Sequence, residues 1–232
     1  DPRLINILQR LLKDDEWMVR LRAAGSLGRS GSDEGYDVAL NALTALDATS
    51  YDRVVASWAL AFIGKPEGVE LAISTALKEL TPSASLPTFL EGIHALSNLC
   101  NLTDLNTKHE IVLKVGSYLK SDDTGVRQVT VRTLGNCKDT SVFDDLVTIM
   151  RKDPNDNIRF QAAQAFWRWE YQPAAIYLID ALDDPYVETR KWSLNALRKL
   201  NLSPSMKTRI SDKMNQEPNL ALKKKYKTLL KK

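Results

Sequence analysis

Cysteine and histidine are nearly absent from this sequence, with two residues of each. Cys100 and Cys137 make no disulfide framework, and neither stands in a Cys-x-x-Cys motif. With only His94 and His109 beside them, and no closely spaced ligand pair, a zinc site is not expected. The expectation is reduced thiols in a reducing compartment, the cytoplasm. No run approaches the roughly 18 apolar residues that span a bilayer. No segment sustains the period-two alternation of a half-buried strand. Catalytic signatures are missing as well: there is no GxSxG, no Walker loop and no GxGxxG. Carboxylates cluster in turns, as Asp14-Asp15, Asp122-Asp123 and Asp183-Asp184, and read as caps rather than as an acid–base pair. His109-Glu110 is a lone pair, too little for a metal centre. The expectation is a protein without catalytic activity, cofactor or metal.

What is present is an ordinary globular composition: 44% hydrophobic and 26% charged residues, with a net charge of +3. The charge is unevenly spread. Between Asn201 and Lys232 there are nine Lys/Arg against two acids, Asp212 and Glu217. Such an end suits nucleic acid, an anionic membrane or an acidic protein, or serves as a solvated cap. The first residue is Asp1 rather than Met, and the expectation is a processed start or a piece of a longer protein.

The positive signal is a repeat. Asp14-Asp15-Glu16-Trp17-Met18-Val19-Arg20 leads to Ala23, Ala24, Leu27 and Gly28. Asp153-Pro154-Asn155-Asp156-Asn157-Ile158-Arg159 leads to Ala162, Ala163 and Phe166, and Asp184-Pro185-Tyr186-Val187-Glu188-Thr189-Arg190 to Leu194 and Leu197. Further copies place Ala56, Gly92, Arg127 and Lys223 in the arginine slot, at steps of 31 to 36 residues. Each is preceded by a segment such as Leu4-Ile5-Leu8-Leu11-Leu12, apolar on one helical face. Asp-Pro at 153–154 and 184–185 and Glu-Pro at 217–218 suit helix N-caps followed by a first-turn proline. Gly28, Gly64 and Gly135 stand where helix ends take a left-handed residue. The reading is an all-α chain, an α-solenoid or superhelix of about seven helix pairs. The approximate units are 1–32, 33–66, 67–102, 103–138, 139–170, 171–202 and 203–232, the last a basic cap.

The pattern Asp-Pro-x-x-x-Val/Ile-Arg-x-x-Ala-Ala resembles the short HEAT repeat of the phycobilisome-lyase-like subclass. The resemblance is weakest between Tyr36 and Cys100. It implies a polar ladder between repeats, in which Asp14, Asp153 and Asp184 would meet Arg20, Arg159 and Arg190. It also implies that the second helices line a concave face.

Two residues after the arginine slot come Arg22, Trp58, His94, Val129, Gln161, Trp192 and Lys225; nine after it come Arg29, Lys65, Asn101, Asn136, Arg168, Lys199 and Lys232. Arg132, Gln164 and Asn195 lie five after it. The candidate partner-binding set is Arg22, Arg29, Trp58, Lys65, His94, Arg132, Gln161, Gln164, Arg168, Trp192, Asn195 and Lys199. Trp58 and Trp192 are its expected anchors, because Trp and Arg dominate protein–protein hot spots. Cations at helix ends also complement the macrodipole without any ligand. The expected function is a non-catalytic protein-binding scaffold. The alternatives are a nucleic-acid-binding array, with the cations on phosphates, and a bilin lyase or chaperone, which rests on the resemblance alone.

Overall fold

The computed structural model describes residues 2–81 and 83–231. Among them every regular element is helical, and the α-helices number fourteen. They follow in pairs: α1 Pro2–Leu11 and α2 Trp17–Arg29, α3 Tyr36–Thr44 and α4 Ser50–Ile63, α5 Pro66–Glu79 and α6 Leu86–Leu99. The series continues with α7 Leu105–Gly116 and α8 Thr124–Cys137, α9 Phe143–Lys152 and α10 Asp156–Trp169, α11 Ala175–Asp180 and α12 Val187–Leu197, α13 Pro204–Gln216 and α14 Leu220–Leu230. Successive helix pairs of this kind are the architecture of an α-solenoid. None of the described helices is long and apolar enough to cross a membrane.

The chain folds as two compact units, residues 1–115 and 116–232. In the first, α2, α4 and α6 pack side by side and carry the core: Leu21, Leu27, Val55, Ala59, Ile93 and Leu96 are all buried. In the second, α8, α10 and α12 do the same with Leu134, Ile158, Phe166 and Leu194. No helix pair could hide these side chains alone, so each layer needs its neighbour.

Glycine makes the close packing of α2 on α4 possible. A Cβ on Gly28 would lie 2.8 Å from Ile63 N and Phe62 C, and one on Gly135 2.8 Å from Ala165 Cβ. Both glycines lie inside their helices, so their expected role as left-handed caps is corrected: they let a neighbouring helix approach. The left-handed ends are instead at Gly31 (φ +83°), Lys138 (φ 56°) and Glu170 (φ 53°). Gly64, with φ +73°, does cap α4 as expected.

The Pro-containing turns also differ from expectation. The N-caps of α10, α12 and α14 are Asn155, Tyr186 and Asn219, so Pro154, Pro185 and Pro218 stand outside their helices. The acids before these prolines do another job. Asp153, Asp184 and Glu217 accept the backbone N–H two residues on, at 2.8–2.9 Å, and this turns each carboxylate inward. There an arginine of the preceding layer grips it. Arg127 Nε lies 2.9 Å from Asp153, Arg159 Nε 2.7 Å from Asp184, and Arg190 Nε 2.9 Å from Glu217. In all three pairs Nη2 makes a second bond to the other carboxylate oxygen. The hydrogen bond to the acid is the main cause raising each arginine's pKa above its ordinary value. The ladder is therefore real, but its rungs are Arg127–Asp153, Arg159–Asp184 and Arg190–Glu217. Among the described residues the Asp14 carboxylate accepts only a local backbone bond, from Glu16 N.

Cys100 and Cys137 are buried and neither is a free thiol. The expectation of reduced cysteines is thereby overturned.

Candidate functional site

The expected site residues fall on both units, and each unit treats them differently. In the first unit Trp58, on α4, is only 9% exposed. A Cβ on Gly25 would lie 2.2 Å from its ring, so the indole fills the space that a missing side chain on α2 leaves open. Arg22 and Arg29 stand over its faces, 5.0 and 5.1 Å from the centroid, and Phe62 meets it edge-on at 5.2 Å. Trp58 is thus a buried aromatic clasped by two guanidiniums. Burial on this scale leaves Trp58 little surface for the anchoring role expected of it.

The cations around it are mostly engaged. Arg22 donates to Glu91 of α6 at 2.5 Å. Lys65 sits 2.7 Å from Asp33 and over the Tyr36 ring at 4.6 Å. The hydrogen bond from Lys65 holds the Asp33 carboxyl below its ordinary range. Arg29 is exposed and lies 4.2 Å over the Phe62 ring, and His94 is half-buried. The second-row position of Lys232 lies outside the described residues.

In the second unit the same register stays open. Trp192 of α12 is half-buried and meets Trp167 of α10 edge-on, ring centroids 5.3 Å apart at 66°. The two rings, with Asn195, Arg198 and Lys199, line an open cavity of about 410 Å³. Lys199 Nζ lies 4.2 Å over the Trp167 ring and 2.7 Å from Glu170, whose pKa it lowers. Asn195 accepts a 3.3 Å bond from Lys225 of α14. Along α10, Arg168 donates to Gln164 at 3.1 Å. Burial, and then the nearby Arg132 guanidinium, hold the Arg168 pKa below the usual arginine range. Gln161 is half-buried, and its amide oxygen is enclosed without a hydrogen-bond partner among the described residues.

The structure thus brings together Gln164 with Arg168, and Trp192 with Asn195 and Lys199. It adds Trp167, which is not among the candidate residues. Trp169 is the packing residue: its indole N–H donates to Gly135 O at 3.1 Å, and its ring meets Phe166 edge-on. The counter-ions Glu91, Asp33 and Glu170 were also missed. They lie 29 to 69 residues from the cations they meet and share no repeat slot, so only the three-dimensional pairing reveals them.

The paired helices, the small-residue contacts and the arginine rungs match a known repeat. The model of HEAT repeats matches residues 1–64 and 112–200. The chain belongs to the HEAT-repeat family. The unmatched stretch between them includes Gly92, one of the two slots without arginine, whereas the other, Ala56, lies inside the first match. Two solved structures share the HEAT-like fold. An engineered protein is 18% identical, with a TM-score of 0.56, over 88% of this chain and 97% of that one. The Escherichia coli protein YibA is 17% identical, with a TM-score of 0.61, over 93% of this chain and 76% of that one. The complex of CpcE and CpcF of phycocyanin lyase from Nostoc sp. PCC7120 is 15% identical over 91% of this chain and 94% of that one, at a TM-score of 0.45, which is too distant to carry an argument. No curated protein matches the sequence significantly.

Proposed function

We propose that this HEAT-repeat chain is a non-catalytic scaffold that takes up an acidic segment of a protein partner along α10 and α12. The observation behind this reading is the half-buried Trp167–Trp192 pair beside an open cavity edged by Asn195, Arg198 and Lys199. Paired tryptophans offer a large rigid apolar surface at low entropic cost, and the Asn195 amide and the Arg198 guanidinium at the cavity edge orient an acidic chain upon it. Arg168 adds positive charge on the same helix, where its guanidinium donates to the Gln164 amide oxygen.

A phosphate-binding array fits less well. Of the cations assigned to phosphates, Arg22 is bonded to Glu91 and Lys199 to Glu170. An internal acid on each weakens the field a nucleic acid would meet. With no free thiol, an oxidising compartment suits the chain better than the cytoplasm expected from its cysteine count.

Capture from native extract tests the reading. Wild-type bait should enrich a dominant protein, and Trp192→Ala bait should retain about tenfold less of it or worse, with unchanged helical circular dichroism. Equal capture by the two baits rules out the tryptophan pair as the anchor. Capture that vanishes on nuclease treatment favours the nucleic-acid alternative.

A further inference from the structure

Among the described residues one arginine of the ladder has no acid. Arg20 occupies the slot in α2, and its Nη1 donates to Asp14 O and Asp15 O at 2.6 and 2.8 Å. Arg127 and Arg190 are held the same way, by the carbonyls six and five residues back, and Arg159 by the one six back. In those three the remaining edge, Nε and Nη2, closes on a carboxylate of the next turn. On Arg20 no carboxylate among the described residues reaches that edge.

The register does supply an acid. Asp153, Asp184 and Glu217 each lie three residues before the first residue of the following helix, and Asp47 lies three before Ser50, where α4 begins. The turn geometry explains why Asp47 is not used. In the closed rungs the acid accepts the N–H two residues on. The corresponding donor, Thr49 N–H, is instead taken by Asp52 at 2.8 Å in a capping box, in which the Thr49 hydroxyl accepts from Asp52 N. Asp47 is left exposed. Where its carboxylate would have entered there is an open cavity of about 560 Å³, walled by Trp17, Val38 and Ala42 and reached by Arg20, Asp47 and Asp52.

We infer that this cavity binds a carboxylate carried on an apolar body, with Arg20 Nε and Nη2 gripping it as the other arginines grip Asp153, Asp184 and Glu217. The apolar body rests on Trp17, Val38 and Ala42. The C-terminal carboxylate of a peptide and a small organic acid share this chemistry. Asp47 faces the same space and opposes an anionic ligand. The site belongs to the first unit and does not depend on the tryptophan pair of the second.

The test is a ¹H–¹⁵N titration of the full chain. The probes are N-acetylleucine, N-acetylleucinamide, and an acetylated hexapeptide ending in leucine as free acid and as amide. Both free acids should shift the Trp17 indole N–H and the Arg20 Nε–H, with half-saturation on the order of millimolar for the single residue. Neither amide should. A peptide acid that binds more tightly than N-acetylleucine identifies a chain terminus as the source, and equal affinities identify a small acid. Arg20→Gln should abolish the shifts. Because Arg20 also braces the turn before α2, Asp47→Asn provides a second test: it should lower half-saturation about threefold or more by removing the opposing charge. Equal shifts from acids and amides, no shift from either, or weaker binding by Asp47→Asn would each overturn the inference.

Discussion

An Arg159→Met chain is expected to lose about 3–5 kcal/mol of stability, seen as a lower urea midpoint with an unchanged slope. The Arg159 side chain is 9% exposed and that of Asp184 8%. Removing the guanidinium strands a buried carboxylate and also the Asp153 carbonyl that Nη1 serves. The cost comes from the charge left behind and not from the strength of the pair. A double variant, Arg159→Met with Asp184→Leu, should therefore regain most of the loss, because it buries no unpaired charge. A double variant no more stable than Arg159→Met alone would mean that the arginine acts through packing.

A Gly28→Val chain should be destabilised by about 3 kcal/mol or more, at the upper end for overpacking. The added Cβ would lie 2.8 Å from Ile63 N and Phe62 C, which are backbone atoms of α4 and cannot rotate away. The two helices have to separate, which loosens the contact that buries Leu27 and Leu60. Thermal unfolding followed by circular dichroism reads the effect. A melting temperature within a degree or two of wild type would show that α2 and α4 are not packed this closely.

The helix pairs were legible because the apolar period recurs in every repeat, and the slot arginines because Asp and Arg recur at one spacing. The partnering was only half legible. Asp153, Asp184 and Glu217 each serve the arginine of the preceding repeat, an offset of 25 to 27 residues that follows from turn geometry rather than from the repeat period. The glycines misled because one residue type answers two needs: Gly64 adopts a left-handed conformation, while Gly28 and Gly135 only make room. The tryptophans show why register alone does not define a site. Trp58 and Trp192 share a slot, but α2 offers Gly25 for the first indole to sink onto, whereas the matching position before Trp192 is Gln164. One ring became core and the other stayed half open. Arg20 and Asp47 fit the repeat in sequence, and only the Thr49–Asp52 capping box, a local competition for one N–H, separates them.

The ladder, with three rungs closed and one open, is tested most directly by thermal unfolding of four single variants side by side: Asp47→Ala, Asp153→Ala, Asp184→Ala and Glu217→Ala. The last three should each melt well below wild type, since each leaves a largely buried guanidinium without its acid. Asp47→Ala should stay within about 0.5 kcal/mol of wild type, as an exposed position does. Four equal losses, or four unchanged melting curves, would contradict this picture of how the layers are joined.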